Sequence, residues 1–274
     1  MYSTALMNEL MRSLPLCLLL CLVLAACSDA PVTVQPVAED TTSVMVTLPL
    51  ETVAGDASFA LKQELTSAKG SSFKTTKLRF YLSRPALLGP TGDTIPVTLL
   101  DTAGSPLLYN ILLVDYSRPE SQTLRFLVRQ KSYRGILLTL GVPAIGQGGD
   151  TLNHADASLM SYPLDVDADM YWAWNPGYIF LKMEGQVQGA TGWSSFSYHI
   201  GGDALLNRIS LADSLVVGRT GASRTIRVDV NRLFITPSGD HSPDMTTAPH
   251  VNGGPMALVM ATNAAGSGFL SIKR

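Results

Sequence analysis

The feature that most constrains the fold of this chain is a series of short apolar segments separated by turn residues. Between Thr76 and Ser83, apolar side chains alternate with Lys77 and Arg79, which is the period-two pattern of a strand with one buried face. Further strands are predicted at Val44–Leu50, Val97–Leu100, Ile111–Asp115, Leu124–Val128, Ile136–Leu140, Tyr178–Glu184, Phe196–Ile200, Thr225–Val230, Met256–Met260 and Phe269–Ile272. The pattern predicts an all-β fold, an antiparallel β-sandwich that forms a single domain over residues 43–274.

Helical patterns are rare, and Phe59–Ala68 and Gly202–Leu211 are the two candidate helices. The segments Gly141–Pro163 and Thr236–Gly254 fit neither strand nor helix and are predicted to be long loops. Loops of this length in a compact domain are usually functional or disordered. Because both segments contain histidine, we expect them to be functional loops.

The N-terminal residues have the composition of a targeting segment. Arg12 precedes an apolar run that ends in Leu24–Cys27, a sequence that resembles a bacterial lipobox, in which the cysteine is lipidated after cleavage. A plain secretory signal that ends beside a chance cysteine is the alternative. We expect a lipoprotein signal peptide at 1–26, lipidation at Cys27 and a flexible tether at 27–42. The lipid would anchor the protein to the outer membrane, on its periplasmic or cell-surface face.

The composition excludes several classes of function. The net charge is −2 and the lysines and arginines are not clustered, so we expect no nucleic-acid partner. The two other cysteines, Cys17 and Cys21, lie within the predicted signal peptide, which leaves Cys27 alone in the mature chain. The sequence contains neither a serine-hydrolase motif nor a C-x-x-C-H haem motif. We therefore expect a binding protein rather than an enzyme, with any electron transfer supplied by a partner.

The four histidines are candidate metal ligands, since imidazole binds metals near neutral pH. His154, His241 and His250 lie in the two long loops, and His199 lies on a predicted strand. Their spacing matches no local zinc motif, so a site would be assembled from distant segments, and four unrelated surface histidines are the alternative. Strand alternation places His199 opposite the apolar face, which indicates that it is not a core residue.

Two further patterns lie between His154 and His199. Asp165, Asp167 and Asp169 begin like a calcium-binding loop, but the glycine and glutamate that such a loop requires are absent, so a solvated turn is predicted. Trp172 and Trp174 are either core residues on one side of a strand or the lining of a site near histidine. Composition alone does not separate these two interpretations.

Several segments together resemble the MbnP-like copper-binding family, the smaller member of the metallo-mystery pair. The resembling segments are Phe73–Ser83, Gly141–Pro143, Leu152–Asp156, Met170–Trp174, Gly177–Gly185 and Tyr198–Gly202. The resemblance implies a secreted or lipid-anchored β-sandwich that binds copper. It also implies a partner, a di-haem cytochrome c peroxidase-like protein of the MauG type, that oxidises a tryptophan of the copper binder to kynurenine.

Carried over residue by residue, the resemblance assigns copper to His154 and His199. His250 is a plausible third ligand and His241 is a weaker candidate. Trp172 or Trp174 would be the modified tryptophan. Some relatives carry four cysteines, and their absence here excludes a thiolate or disulfide contribution.

Two alternatives remain open from the sequence. Imidazole donors suit zinc as well as copper, so the residues do not fix the metal. A lipid-anchored sandwich with clustered aromatic residues could also be a carbohydrate- or surface-binding module.

Overall fold

The computed structural model describes residues 42–144, 152–174 and 177–273. The predicted signal peptide, the lipidation site Cys27 and the tether up to residue 41 lie outside the described residues, so these calls stay predictions. None of the helices in the described part of the chain is long and apolar enough to span a membrane.

Seventeen strands account for most of the regular structure in the described ranges. In chain order they are β1 (Ser43–Ala54), β2 (Ala57–Ser58), β3 (Glu64–Thr66), β4 (Ser72–Leu88), β5 (Thr94–Pro96), β6 (Ile111–Asp115), β7 (Thr123–Arg129), β8 (Ser132–Tyr133), β9 (Gly135–Leu140), β10 (Ile179–Gly189), β11 (Gly192–Gly201), β12 (Asn207–Leu211), β13 (Leu215–Val216), β14 (Ala222–Ser223), β15 (Ile226–Asp229), β16 (His250–Val251) and β17 (Leu270–Ile272). One α-helix, α1, spans Gly254–Gly266. Short 3-10 helices lie at Leu108–Asn110, Pro119–Ser121, Ala157–Leu159, Val166–Ala168, Asp203–Leu205 and Val230–Phe234.

The strands form two main sheets. The larger sheet has the order β12–β9–β4–β10–β11–β16, with β3, β5 and β6 also paired to β4. The smaller sheet has the order β14–β1–β15–β17, with β2 and β7 also paired to β1, and β13 pairs separately with β8. Most pairs are antiparallel, but β1 runs parallel to β14 and β15, and β11 runs parallel to β16. The predicted all-β, sandwich-like fold is confirmed, with mixed rather than purely antiparallel sheets.

The long strand β4 shows how the sequence alternation builds the layers. Leu78, Phe80 and Leu82 are at most 1% exposed and join Val46 and Leu48 of β1 in the core between the two sheets. The intervening residues of β4 point to the other face of the larger sheet, which we call the outer face.

A second, smaller core lies on the outer face at one end of the larger sheet. Tyr81 and Phe180 project from β4 and β10 into this core, and the segment 152–174 covers them. Leu152, Leu164 and Met170 are buried residues of the covering segment. The predicted long loop Gly141–Pro163 contributes Val142, Leu152 and Ala157 to this core, because their side chains point inward.

Four predictions of local structure are wrong. Val97–Leu100, predicted as a strand, forms isolated bridges at its last two residues instead. Met256–Met260, predicted as a strand, lies within helix α1. The run is apolar throughout, so its sequence does not distinguish a buried strand from a buried helix. The candidate helix Phe59–Ala68 contains strand β3, and the candidate helix Gly202–Leu211 contains a 3-10 turn followed by β12. In both cases tertiary strand pairing outweighs a weak helical pattern.

Candidate metal centre

His199 lies on the outer face of the larger sheet, as its strand alternation predicted. In the β10–β11 hairpin it is directly opposite Lys182, and its neighbours Tyr198 and Ile200 are buried in the main core. Its Nε2 lies 2.7 Å from Oε1 of Glu184, a residue on the same face of β10. The His199 side chain is 18% exposed, so the ring is held at the surface rather than buried.

The contact with His199 affects the charge of Glu184. The hydrogen bond from His199 is the main cause that lowers the pKa of Glu184, opposed by partial burial and assisted by Lys77 and Lys182. Glu184 is therefore an anion at neutral pH, and it fixes the orientation of the imidazole. A carboxylate that bonds one ring nitrogen is the usual support for a metal-binding histidine.

His250 reaches the same face from the neighbouring strand. It forms the short parallel strand β16 and pairs with Ser197, two residues before His199 on β11. Its Nδ1 lies 3.0 Å from Oγ of Ser197. His199 and His250 are thus diagonal neighbours on one sheet face, a relation in which Cα atoms lie about 7–8 Å apart.

His154 lies beyond the C-terminal end of β11. Its Nε2 is 2.9 Å from Oδ2 of Asp203, and the buried Asn153 donates to the other oxygen of Asp203 at 2.5 Å. The hydrogen bonds from His154 and then Asn153 lower the pKa of Asp203. Because Asn153 also accepts a hydrogen bond from the Tyr178 amide, this loop is tied to the start of β10.

Two of the three predicted ligands are therefore close on one face, and the third sits at the end of the same strand. His241 lies in an exposed loop and makes a bridge to Ile235. Within the described ranges, no group of three or more histidine, cysteine, aspartate or glutamate side chains is arranged to hold a metal ion. The site of His154, His199 and His250 stays a prediction.

The donor chemistry at His199 and His250 nevertheless fits a metal such as copper. Each imidazole has one ring nitrogen held by a side chain of β10 or β11. The other ring nitrogen, Nδ1 of His199 and Nε2 of His250, has no hydrogen-bond partner among the described residues. A neutral imidazole with one nitrogen fixed and the other available is the form that ligates metals.

Asp169 holds the covering segment to the sheet, and sequence reasoning missed it. The Lys182 ammonium donates to Oδ1 of Asp169 at 2.9 Å and to its backbone oxygen at 2.6 Å, and Lys77 donates to Oδ2 at 2.6 Å. Arg79 adds a longer contact of 3.5 Å. Partial burial acts to raise the pKa of Asp169, but the two lysines outweigh it and the pKa is lowered. The prediction that all three aspartates form a solvated turn is wrong for Asp169.

The two candidate tryptophans differ in burial. Trp172 is 8% exposed and belongs to the small core, whereas Trp174 is 72% exposed. Their rings lie 5.9 Å apart and are tilted by 50°. Because a Cβ at Gly201 would lie 3.0 Å from Cζ3 of Trp172, the buried indole packs directly over the end of β11. Of the two interpretations left open by the sequence, that of core residues on one side of a strand does not describe the pair, since neither residue lies in a strand and Trp174 is exposed.

One neglected signal in the sequence could have located part of this site. β10 and β11 are consecutive strands joined by a turn of two residues, 190–191, and so short a turn fixes the register. That register places Lys182 opposite His199 and Glu184 opposite Ser197. The contacts of Asp169 and Asp203 are long-range, and no local pattern reveals them.

Together these features describe a class: a β-sandwich with one imidazole–carboxylate pair on its outer face and a second beyond the end of β11, where Trp172 packs against Gly201. The MbnP family model matches residues 43–253, about three quarters of the chain, and the chain belongs to this family. The resemblance identified from the sequence is thereby confirmed.

A solved structure supports the same fold. MbnP from Methylosinus trichosporium superposes with a TM-score of 0.61 at 18% sequence identity, over 84% of this chain and 98% of that chain. No match is found among the sequences of curated proteins.

Proposed function

We propose that this protein binds copper through His199 and His250 on the outer face, with His154 as the third ligand. The observation that carries the proposal is the placement of His199 and His250 on adjacent strands, each with one ring nitrogen bonded by the sheet. Membership of the MbnP family favours copper over zinc. Divalent copper also heads the general affinity order for nitrogen ligands.

The carboxylates give the proposed site its electrostatics. Glu184 and Asp203 hold the rings of His199 and His154 and partly compensate the charge of a bound cation. Lys182 directly opposes His199, but its ammonium group is turned to Asp169. Lys182 is therefore paired with Asp169, while Lys77 lies 3.5 Å from Oε2 of Glu184, so a lysine remains near the carboxylate that holds His199.

His154 would join the other ligands by a change in its loop. In the structure it is bonded to Asp203 at the end of β11. Because Asp203 lies four residues beyond His199 along the chain, this change must move the backbone of the loop as well as the exposed side chain of His154.

Titration of the mature protein with copper tests the proposal. Loss of one of about three ligands should weaken binding by orders of magnitude, since even the residues that support metal ligands contribute 10–100-fold. His199→Ala and His250→Ala should both show this loss, and His241→Ala is the matched control in an exposed loop. Equal affinity in His199→Ala and wild type would remove this site assignment.

We further propose that a tryptophan of this site is oxidised to kynurenine by a di-haem peroxidase-like partner, and that Trp174 is the target. Two molecules of hydrogen peroxide, the oxidant of such a partner, would each add one oxygen atom and leave as water, which gives N-formylkynurenine. Hydrolysis would then release the lost carbon atom as formate and leave kynurenine.

The exposure of Trp174 lets a macromolecular oxidant reach it, whereas Trp172 is enclosed in the small core. A buried indole is also costly to alter, since truncation of one to alanine costs about 3–5 kcal/mol of stability, whereas the exposed indole is packed less. Kynurenine would add a carbonyl and an aromatic amine near the proposed ligands.

Peptide mass spectrometry distinguishes the two tryptophans. Protein from the native host should contain a peptide in which residue 174 has gained one oxygen atom and lost one carbon atom. A Trp174→Phe variant should lack the change. Unmodified Trp174 in protein grown with the partner present would contradict the proposal, and modification at Trp172 alone would reassign the target.

The alternative of a carbohydrate-binding module has weaker support. A flat exposed ring is needed to stack on a sugar, but the Lys74 ammonium lies 4.2 Å above the ring of Trp193. Trp174 is tilted against Trp172 rather than aligned with another exposed ring.

A further inference from the structure

The segment 152–174 is apolar on both of its sides. Its inward residues, such as Ala157, Leu164 and Ala168, fill the small core over the larger sheet. Four large apolar side chains nevertheless point outward: Leu159 is 83% exposed, Trp174 72%, Val166 59% and Tyr162 41%. Packing explains the inward residues and leaves the outward ones unexplained.

The concentration of these residues is unusual for a solvated surface. Ten large apolar side chains are exposed in the described part of the chain, and four of them lie in this segment, about a tenth of the described residues. The inward residues of the segment all join one cluster, and the four outward residues lie on its solvent side. Apolar residues gathered in this way mark sites of interaction, whereas scattered ones need no explanation.

The charged residues within the segment itself are all acidic. The segment contains Asp156, Asp165, Asp167 and Asp169 and has neither lysine nor arginine. Asp169 is neutralised by the lysines of the sheet, but none of the other three forms an ion pair within the described ranges. Arg118, 5.2 Å from the ring of Tyr162, marks the basic edge of this surface.

We propose that Leu159, Tyr162, Val166 and Trp174, with Asp156 and Asp167, form the docking surface for the redox partner that oxidises Trp174. The inference rests on the proposed function above. It adds the place on this protein where the partner binds and the chemistry of the partner's own docking face. That face is apolar at its centre, to cover the leucine, valine and aromatic side chains. It carries lysine or arginine at its rim, to complement the aspartates.

The position of Trp174 within the surface is the reason for choosing this partner over another protein. Tryptophan and tyrosine are the residue types most often responsible for binding energy at interface centres. An electron acceptor that docks here would contact Trp174 directly. The two activities, docking and oxidation, would then use the same exposed indole.

The test uses the mature protein and a purified, haem-loaded di-haem peroxidase-like protein from the same organism. Leu159→Ser/Val166→Ser should weaken binding to it at least tenfold and slow oxidation of Trp174 in parallel. Leu258→Ser/Val216→Ser removes two exposed apolar side chains of the same types elsewhere and should change neither. Asp156→Asn/Asp167→Asn should slow association and flatten its dependence on salt.

The outcomes separate the docking surface from the proposed oxidation. Wild-type affinity and oxidation rate in Leu159→Ser/Val166→Ser would overturn the surface while leaving the oxidation standing. Binding to wild type that is lost in this variant, without any oxidation of Trp174, would support the surface and overturn the oxidation. No binding to wild type at all would overturn both.

Discussion

Replacement of Asp169 by asparagine should destabilise the protein by removing one charge from the contact between the covering segment and the sheet. Asp169 has a left-handed backbone, with φ 52° and ψ 41°. Asparagine adopts this conformation about as readily as aspartate. The side chains also have nearly the same shape, so Asp169→Asn isolates the charge from the geometry.

The magnitude follows from what Lys182 would lose. Its side chain is 6% exposed. With asparagine at position 169 its ammonium can still donate to neutral oxygens, but it loses the carboxylate with which it forms an ion pair. Removal of one partner costs about 3–5 kcal/mol for a fully buried pair. Asp169 is 49% exposed, so water replaces part of the interaction, and we expect a loss of about 2 kcal/mol.

Thermal and urea unfolding measure this loss. For a domain of this size, about 2 kcal/mol corresponds to a fall of about 4–8 °C in the unfolding midpoint. Asp167→Asn is the control, because Asp167 is exposed and forms no ion pair among the described residues; we expect it to stay within about 0.5 kcal/mol of wild type. Equal stability of the two variants would refute the role assigned to Asp169.

The pH dependence of stability provides a second readout of the same contact. The lysines hold the pKa of Asp169 below its usual value in the folded protein. Its contribution is therefore fully present above the unfolded-state pKa of about 3.9 and is lost as the pH falls through the lower folded-state pKa. The difference between wild type and Asp169→Asn should shrink at acid pH, and a constant difference would contradict the assignment.

Two further predictions concern the packing of Trp172 and the membrane anchor. Gly201→Ala should destabilise the protein by about 1–3 kcal/mol in urea unfolding, because the new methyl group would collide with the Tyr178 carbonyl and crowd Trp172. Gly218→Ala, which meets open space, is the control, and equal stability of the two variants would argue against this packing. Cys27→Ala should yield soluble protein or unprocessed precursor in fractionation, since several acyl chains together are needed for stable anchoring; a mature-sized variant in the membrane fraction would disprove lipidation.

The positions of strands could be predicted from the sequence where one face of the strand is buried and the other is not. In β4 the period-two pattern is clear, and the structure places the alternating residues on the two faces as expected. The same alternation correctly placed His199 away from the main core. These predictions succeed because side-chain direction in a strand depends only on local geometry.

Helix α1 shows where the local pattern fails. The run Met256–Met260 is continuously apolar, and such a run fits a buried strand or a buried helix equally well. Ala257, Met260 and Ala261 are all buried, so periodicity gives no guide. Pro255 directly after two glycines was the available signal for a helix start.

The candidate site could be predicted only in part. The histidine at position 199 and the short turn between β10 and β11 are both visible in the sequence, and together they predict which residues lie beside His199 in the sheet. The pairing of His250 with Ser197 depends on a two-residue strand that forms only when distant segments meet. Asp169 and Asp203 depend likewise on contacts across the fold, and an aspartate-rich run looks solvated until its cationic partners are known.

The metal content of the protein purified from its native host tests the central claim most directly. The proposed site predicts about one copper ion per chain in wild type and a loss of copper in His199→Ala/His250→Ala that keeps the wild-type unfolding midpoint. Copper retained in this double variant would place the metal elsewhere. Zinc in place of copper, or no metal in wild type, would contradict the proposed function.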